Sequence, residues 1–179
     1  MTGTASPGKT KHEGMTLVRA LEDGQSFWQP VPANGFVRCL LSSTEVGAEH
    51  PFSIGTQTIA PGGCYVRTHA HDRHEEVIYF LEGMGRIEID DAEAVEEAEP
   101  GTIVFLGRNR RHSFVNTSEA PLTFLWLLMP AGIEHFFERI GRARQPGEAA
   151  PAPFPRPDNI AQIEAETVFA APPLPEKGD

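Results

Sequence analysis

The chain has 179 residues, 16 prolines and 17 glycines against 8% aromatic residues, and a formal charge of −10. A chain of that length suits one domain burying roughly 68–70% of its unfolded surface, and its turn-rich composition favours short strands over a helical bundle. The acidic balance excludes a general nucleic-acid or anionic-lipid partner, and no stretch reads as a signal sequence or membrane span. Two cysteines without a C-x-x-C point to a reduced, cytoplasmic setting.

Residues 1–15 are polar, with nothing to bury, and read as a disordered segment. From residue 16 to 130 the pattern is strand and turn, with expected strands at Phe36–Leu41, Phe52–Ala60, Cys64–His69, Glu76–Leu81, Gly85–Ile89, Thr102–Leu106, His112–Asn116 and Leu122–Met129. Turn residues punctuate them, among them Pro61-Gly62-Gly63, Glu82-Gly83 and Pro100-Gly101. The acidic stretch Glu88–Glu99 reads as the solvated loop face of a hairpin, without chemistry of its own. Strands this short and evenly spaced suggest an all-β jelly roll or closed barrel, either of which deals with exposed sheet edges.

After Pro130 the period changes. Ile133, Phe136, Phe137 and Ile140 form one apolar stripe on a helix that Gly141 stops, with Glu134 and Glu138 on its polar face. Residues 131–179 therefore make a C-terminal helix and a Pro-rich tail. Prolines between Pro146 and Pro175 forbid sheet ladders, yet Phe154, Ile160, Ile163, Val168, Phe169 and Leu174 are too apolar for a free linker. An extended strap wrapped on the barrel is expected, with one short helix near Asn159–Glu166.

Three histidines are placed together by strand parity. His69 and His71 are two apart at a strand end, so their side chains share a face. Glu76 shares parity with Ile78 and Phe80, which puts a carboxylate on an apolar, inward face where it needs a partner. His112 opens a later strand with Phe114 and Asn116 in step. Three imidazoles and a carboxylate converging from separate strands suit a borderline divalent metal ion with open coordination positions.

From Gly63 to Gly83 the chain reads G-x5-H-x-H-x4-E-x6-G, and from Gly101 to Asn116 it reads G-x5-G-x-N-x2-H-x3-N. These stretches closely resemble the two signature motifs of the cupin superfamily, over about residues 53–130. The resemblance implies a jelly-roll barrel in which His69, His71, Glu76 and His112 bind one ion: iron, manganese, nickel, cobalt, copper or zinc. The spacing to Gly83 selects Glu76 over Glu75. Two positions depart from the family pattern, which has a proline where Gly107 stands and a glycine where Asn109 stands; asparagine tolerates the left-handed backbone such a turn requires. The resemblance also implies a homodimer. The helix and tail, with Val168-Phe169-Ala170-Ala171-Pro172-Pro173-Leu174-Pro175, look like those of single-domain bacterial cupins related to quercetin (flavonol) dioxygenases, where they close over the cavity.

Alternation nominates Ile78, Phe80, Phe105, Phe114 and Trp126, with Leu128, as the substrate pocket, ordinary core packing being the alternative for each. Walls of Phe and Trp favour an aromatic or planar ligand over a sugar. His74 is read as either a turn histidine or a ligand contact. Arg108, Arg110 and Arg111 are either a solvated turn or an attractor for an anionic substrate at the barrel mouth. Cys39 and Cys64 fall on strands and read as inert thiols.

The expected function is that of a metal-dependent dioxygenase acting with O₂ on an enolisable or hydroxylated aromatic small molecule, with Glu76 as both ligand and proton acceptor, its basicity raised by dry surroundings. A metal-dependent isomerase or lyase and a non-catalytic small-molecule binder are the competing readings.

Overall fold

The computed structural model describes residues 14–90 and 93–171. Along Leu122–Met129 every second side chain is buried, so that Leu122, Phe124, Trp126 and Leu128 face inward. This pleat-driven alternation recurs on the neighbouring strands and decides the architecture. In chain order the strands are β1 (Gln25–Trp28), β2 (Phe36–Ser42), β3 (Ser53–Ile59), β4 (Tyr65–His69), β5 (Glu75–Glu82), β6 (Gly85–Ile89), β7 (Ala94–Ala98), β8 (Ile103–Leu106), β9 (His112–Asn116), β10 (Leu122–Met129) and β11 (Arg142–Ala143). Helix α1 (Ser43–Val46) follows β2, α2 (Ile133–Ile140) follows β10, and α3 (Ile160–Ala165) lies in the tail.

All pairings are antiparallel. A seven-stranded sheet runs β11-β1-β2-β3-β10-β5-β8, and a four-stranded sheet runs β4-β9-β6-β7. The core joins inward residues of both sheets, Val37, Ile59, Phe80, Phe124 and Leu128 from one and Ile87, Ala98 and Phe114 from the other. This is the expected all-β jelly-roll barrel with a short C-terminal helix. No helix among the described residues is long and apolar enough to cross a membrane.

Helix α2 forms where the 3.6-residue stripe predicted it. Ile133, Phe136, Phe137 and Ile140 are buried, and Gly141 caps the end by donating to the Phe137 carbonyl. Glu138 meets solvent, whereas Glu134 is half-buried and accepts from the Gly132 N–H at 3.0 Å. Beyond it the strap contributes Phe154, Ile163 and Val168 to the buried set, while Leu174 lies outside the described residues.

Three strands, together with the one-turn helix α1, are absent from the sequence reading. β1 and β11 pair Phe27 with Ala143 and extend the large sheet; four- and two-residue strands carry too little alternation to register. The third is β7, within the acidic stretch read as a loop. It pairs with β6 from Gly85↔Ala98 to Ile89↔Ala94, its carboxylates exposed and only Ala98 buried. An edge strand dressed in charge satisfies its backbone while discouraging further pairing, and composition alone makes it look like a loop.

We predict that truncation after Gly132 exposes the apolar surface covered by α2 and yields aggregated protein, since deleting one core Phe side chain alone costs about 3–5 kcal/mol. Sedimentation and dye binding of the truncated chain check this; a soluble product with unchanged melting temperature contradicts it.

Candidate metal centre

β4 and β9 bring two histidines face to face. After a register irregularity beyond Val66, His69 pairs with His112 across the small sheet, their rings 4.2 Å apart. His71 follows just past the end of β4 and is buried. Glu76 arrives from the opposite sheet, paired on β5 with Leu106 and Leu128, so the inward, apolar placement inferred from parity is what the fold produces. One ligand atom from each of His69, His71, Glu76 and His112 lies within 4.8 Å of the others. These four could hold a metal ion.

The hydrogen bonds around the cluster fix the tautomers. His69 Nδ1 donates to the Arg67 carbonyl at 2.8 Å, His112 Nδ1 to the Arg110 carbonyl at 2.9 Å, and His71 Nδ1 to the Val168 carbonyl at 2.8 Å. A carbonyl can only accept, so each ring carries its proton on Nδ1 and turns an Nε2 lone pair to the centre. His112 Nε2 then lies 3.1 Å and His71 Nε2 3.7 Å from Glu76 Oε2. These three atoms are buried without a hydrogen-bond partner. Lone pairs facing a carboxylate in a dry interior call for a cation between them, and three imidazole nitrogens with one oxygen are the donor set of a borderline divalent ion.

The electrostatics agree. Burial holds His69 well below the usual imidazole range, helped by repulsion from His112 and His71. Burial also lowers His71, but the facing Glu76 carboxylate outweighs it and leaves that ring raised. For Glu76, burial pushes the carboxyl up, yet the His112 and His71 imidazoles dominate and hold it below the ordinary carboxylate range. Among these side chains alone, the two imidazoles thus outweigh burial at Glu76.

The turn before His112 keeps the family geometry despite its two departures. Asn109 adopts φ 63°, the left-handed conformation, and its N–H donates to the His71 carbonyl at 2.8 Å. That bond ties the two motifs together beside the centre. Asn116 is structural. Buried completely, its Nδ2 donates to the carbonyls of Ile59, Ala60 and Ala120.

A cavity of about 270 Å³ opens beside the cluster, reaching His69 and Glu76 at one end. Phe114, Phe124, Trp126, Phe136, Phe137 and Phe169 wall it. Of the nominated pocket residues, Phe114 and Trp126 line this space. Ile78, Phe80 and Leu128 are fully buried core residues that do not, Phe80 packing behind Phe114 and Phe124 at 5.8 and 5.5 Å. Phe105 is a correction. It is 63% exposed, because Leu106 shares the inner face with Glu76 and Phe105 alternates outward. In the all-apolar run Ile103–Leu106 the sequence carries no alternation from which to read the face.

His74 is buried but stands outside the four-residue cluster, its ring 6.1 Å from that of His71, and burial lowers its pKa. The arginine run divides: Arg110 pairs with Asp90 at 2.6 Å, Arg108 is exposed, and Arg111 lines the cavity. Cys39 is half-buried, and burial pushes its thiol up to about 12, with Glu134 and Glu138 adding to the shift.

Two residues near the centre were not nominated individually. The Val168 carbonyl orients His71, and the Phe169 ring lies 5.3 Å from those of His69 and His71 and 4.5 Å from Phe136. Ala170 N–H donates to the Ala70 carbonyl at 2.8 Å, so the strap closes over the loop that carries the ligands. Its apolar Val-Phe pair in a proline-rich tail was the available signal.

Residues 55–128 match the family model described as a cupin domain. The chain thus carries a cupin domain over residues 55–128, and its fold is the cupin jelly roll. The polyketide cyclase RemF from Streptomyces resistomycificus superposes with a TM-score of 0.56 at 25% identity, covering 65% of this chain and 81% of that one. A predicted oxalate decarboxylase from Thermotoga maritima gives 0.53 at 21% identity over 64% of this chain and all 100% of its own. Bacillus subtilis oxalate decarboxylase, described by its Mn(II) centres, gives 0.52 at 16% identity over 68% of this chain and 32% of that one. No curated protein sequence matches the chain.

We predict that His112→Ala sharply lowers the metal content of purified protein, and lowers the melting temperature of metal-loaded samples with it, because an ion bound only by the folded state stabilises that state. Truncation after Glu166, which removes the carbonyl orienting His71, should weaken metal affinity roughly 10–100-fold, the usual scale for losing an outer-shell partner of a ligand. Full occupancy in both variants, by elemental analysis against a competing chelator, contradicts the assignment.

Proposed function

We propose that the chain is a metal-dependent cupin enzyme of the dioxygenase kind, acting on a small enolisable or hydroxylated aromatic substrate. The single observation that carries this reading is the three-histidine, one-glutamate set, half-buried at His69 and buried at the other three, facing a cavity walled largely by aromatic residues. His69, His71, Glu76 and His112 would hold the ion, whose chemistry is to acidify a coordinated substrate oxygen and, if redox-active, to engage O₂. Phe114, Phe124, Trp126 and Phe137 orient a planar substrate. Phe169 and the strap exclude water. Glu76 is the group placed to accept the substrate proton at Oε2. Held below its usual range, it does so only from an acidified oxygen, which suits an enol or phenol better than an unactivated C–H.

The tail motif supports the quercetin-dioxygenase-like group. Residues 16–130 form the barrel and 131–179 the closing helix and tail in the same proposal, together with a cytoplasmic homodimer. The likeness to a protein described as a polyketide cyclase supports a second reading, in which the same site performs a non-oxidative isomerisation or ring closure through a stabilised enolate.

An oxygen electrode with flavonols, β-diketones and hydroxylated aromatics separates these readings, oxygen uptake supporting the first. We predict that Glu76→Gln, which keeps its size and one oxygen ligand, retains a good part of the metal while turnover falls about 10²-fold or more, as for loss of a general acid–base group. Unchanged turnover removes Glu76 as the proton acceptor. No oxygen uptake or isomerisation by the parent protein across the panel, in several metals, makes it a binding protein.

A further inference from the structure

Two buried N–H groups on the cavity wall have no acceptor. Gln29, just after β1, is 3% exposed, and its Nε2 has no partner. Arg156, in the strap before α3, donates through Nη2 to Glu164 Oε1 at 2.5 Å, but its Nη1 is buried and unpaired. The Val31 N–H donates to the Phe154 carbonyl at 2.9 Å, so the two segments are tied together two residues from Gln29 on one side and two from Arg156 on the other. Both side chains line the cavity, and neither belongs to the metal cluster.

Buried donors are normally satisfied, and an orphan pair facing an aromatic-walled space is what a site looks like when its acceptor is the ligand. An apolar ligand would leave both groups desolvated and unpaired, so the cavity discriminates against it. The charge balance favours an anion. Glu164 already neutralises Arg156, Glu76 belongs to the ion, and Arg67 also lines the cavity. A guanidinium and a carboxamide carried on two tied segments of the same wall suit the two oxygens of a carboxylate better than a single hydroxyl, which needs only one donor.

We infer that Gln29 and Arg156 form a carboxylate subsite, and that the natural ligand is an aryl carboxylate that places its acid group here and its enol or phenol oxygen at the metal. The aryl, metal-facing half of this inference rests on the function proposed above; the donor pair does not.

The test is calorimetric binding of two probes to the full chain loaded with zinc, which is redox-inert and leaves the probes intact. One is a hydroxynaphthoate with hydroxyl and carboxylate at opposite ends; the other is naphthol. The hydroxynaphthoate should bind about tenfold or more tightly than naphthol, the scale of a charge-assisted hydrogen bond. Gln29→Leu and Arg156→Met should each erase most of that difference by weakening the hydroxynaphthoate alone, and Arg156→Lys should restore part of it. Unchanged naphthol affinity shows the cavity intact, and Gln29→Leu leaves the Arg156–Glu164 pair untouched should the arginine variant loosen the strap. Equal binding of the two probes, binding of neither, or a preference that survives both variants overturns the subsite. Oxygen uptake without the preference overturns the subsite and leaves the enzyme. The preference without any turnover does the reverse.

Discussion

Glu76 sits where an apolar residue belongs. Its neighbours across the sheet are Leu106 and Leu128, and the next inward residues on its own strand are Ile78 and Phe80. An ionised carboxylate in such a place is expensive unless it is paired, so its surroundings must supply charge compensation. The compensating imidazoles come from the other sheet and reach Glu76 only if both sheets close at the register observed. One inward carboxylate therefore ties the pairing of β5 to that of β4 and β9. The strap is tied in through His71, whose ring is set by a carbonyl 97 residues along the chain.

That last bond changes what the tail is for. The prolines before α3 keep that stretch out of helix and sheet ladders, while Phe154, Ile163 and Val168 bury themselves and give the segment a fixed path. The segment then does two kinds of work. Val168 and Phe169 enclose the histidines, and Arg156 presents a donor to the cavity. A wrapping tail that only covered apolar surface would need neither the aligned carbonyl nor the buried guanidinium.

What was legible in the sequence follows from how each feature is encoded. Strand parity places His69, His71, Glu76 and His112 because each sits among side chains of clear alternation, or in a turn whose length is fixed. The left-handed Asn109 was readable through the motif resemblance, since asparagine tolerates the conformation of the glycine it replaces, and its φ of 63° agrees. Parity fails at Phe105, where four apolar residues in a row carry no face. β7 stayed hidden because an exposed edge strand and an acidic loop share a composition. Gln29 and Arg156 were not legible at all. An unpaired buried donor is a property of three-dimensional neighbours, and neither a lone Gln after a tryptophan nor an Arg between prolines signals it.

The centre also shows how the fold limits the chemistry it can support. Burial and the neighbouring His112 and His71 rings together hold His69 low. The backbone carbonyls take the Nδ1 protons, so the remaining nitrogens stay available as lone pairs rather than as acids. Acid–base work here depends on the substrate arriving with an oxygen that the occupied centre can acidify, and on the aromatic walls holding that oxygen in reach. The barrel supplies position, dryness and a weak acceptor. On the reading proposed above it would select for substrates that already carry an enolic or phenolic hydroxyl, since the apolar walls leave little to stabilise charge developing elsewhere along the ligand except at the inferred Gln29 and Arg156 subsite.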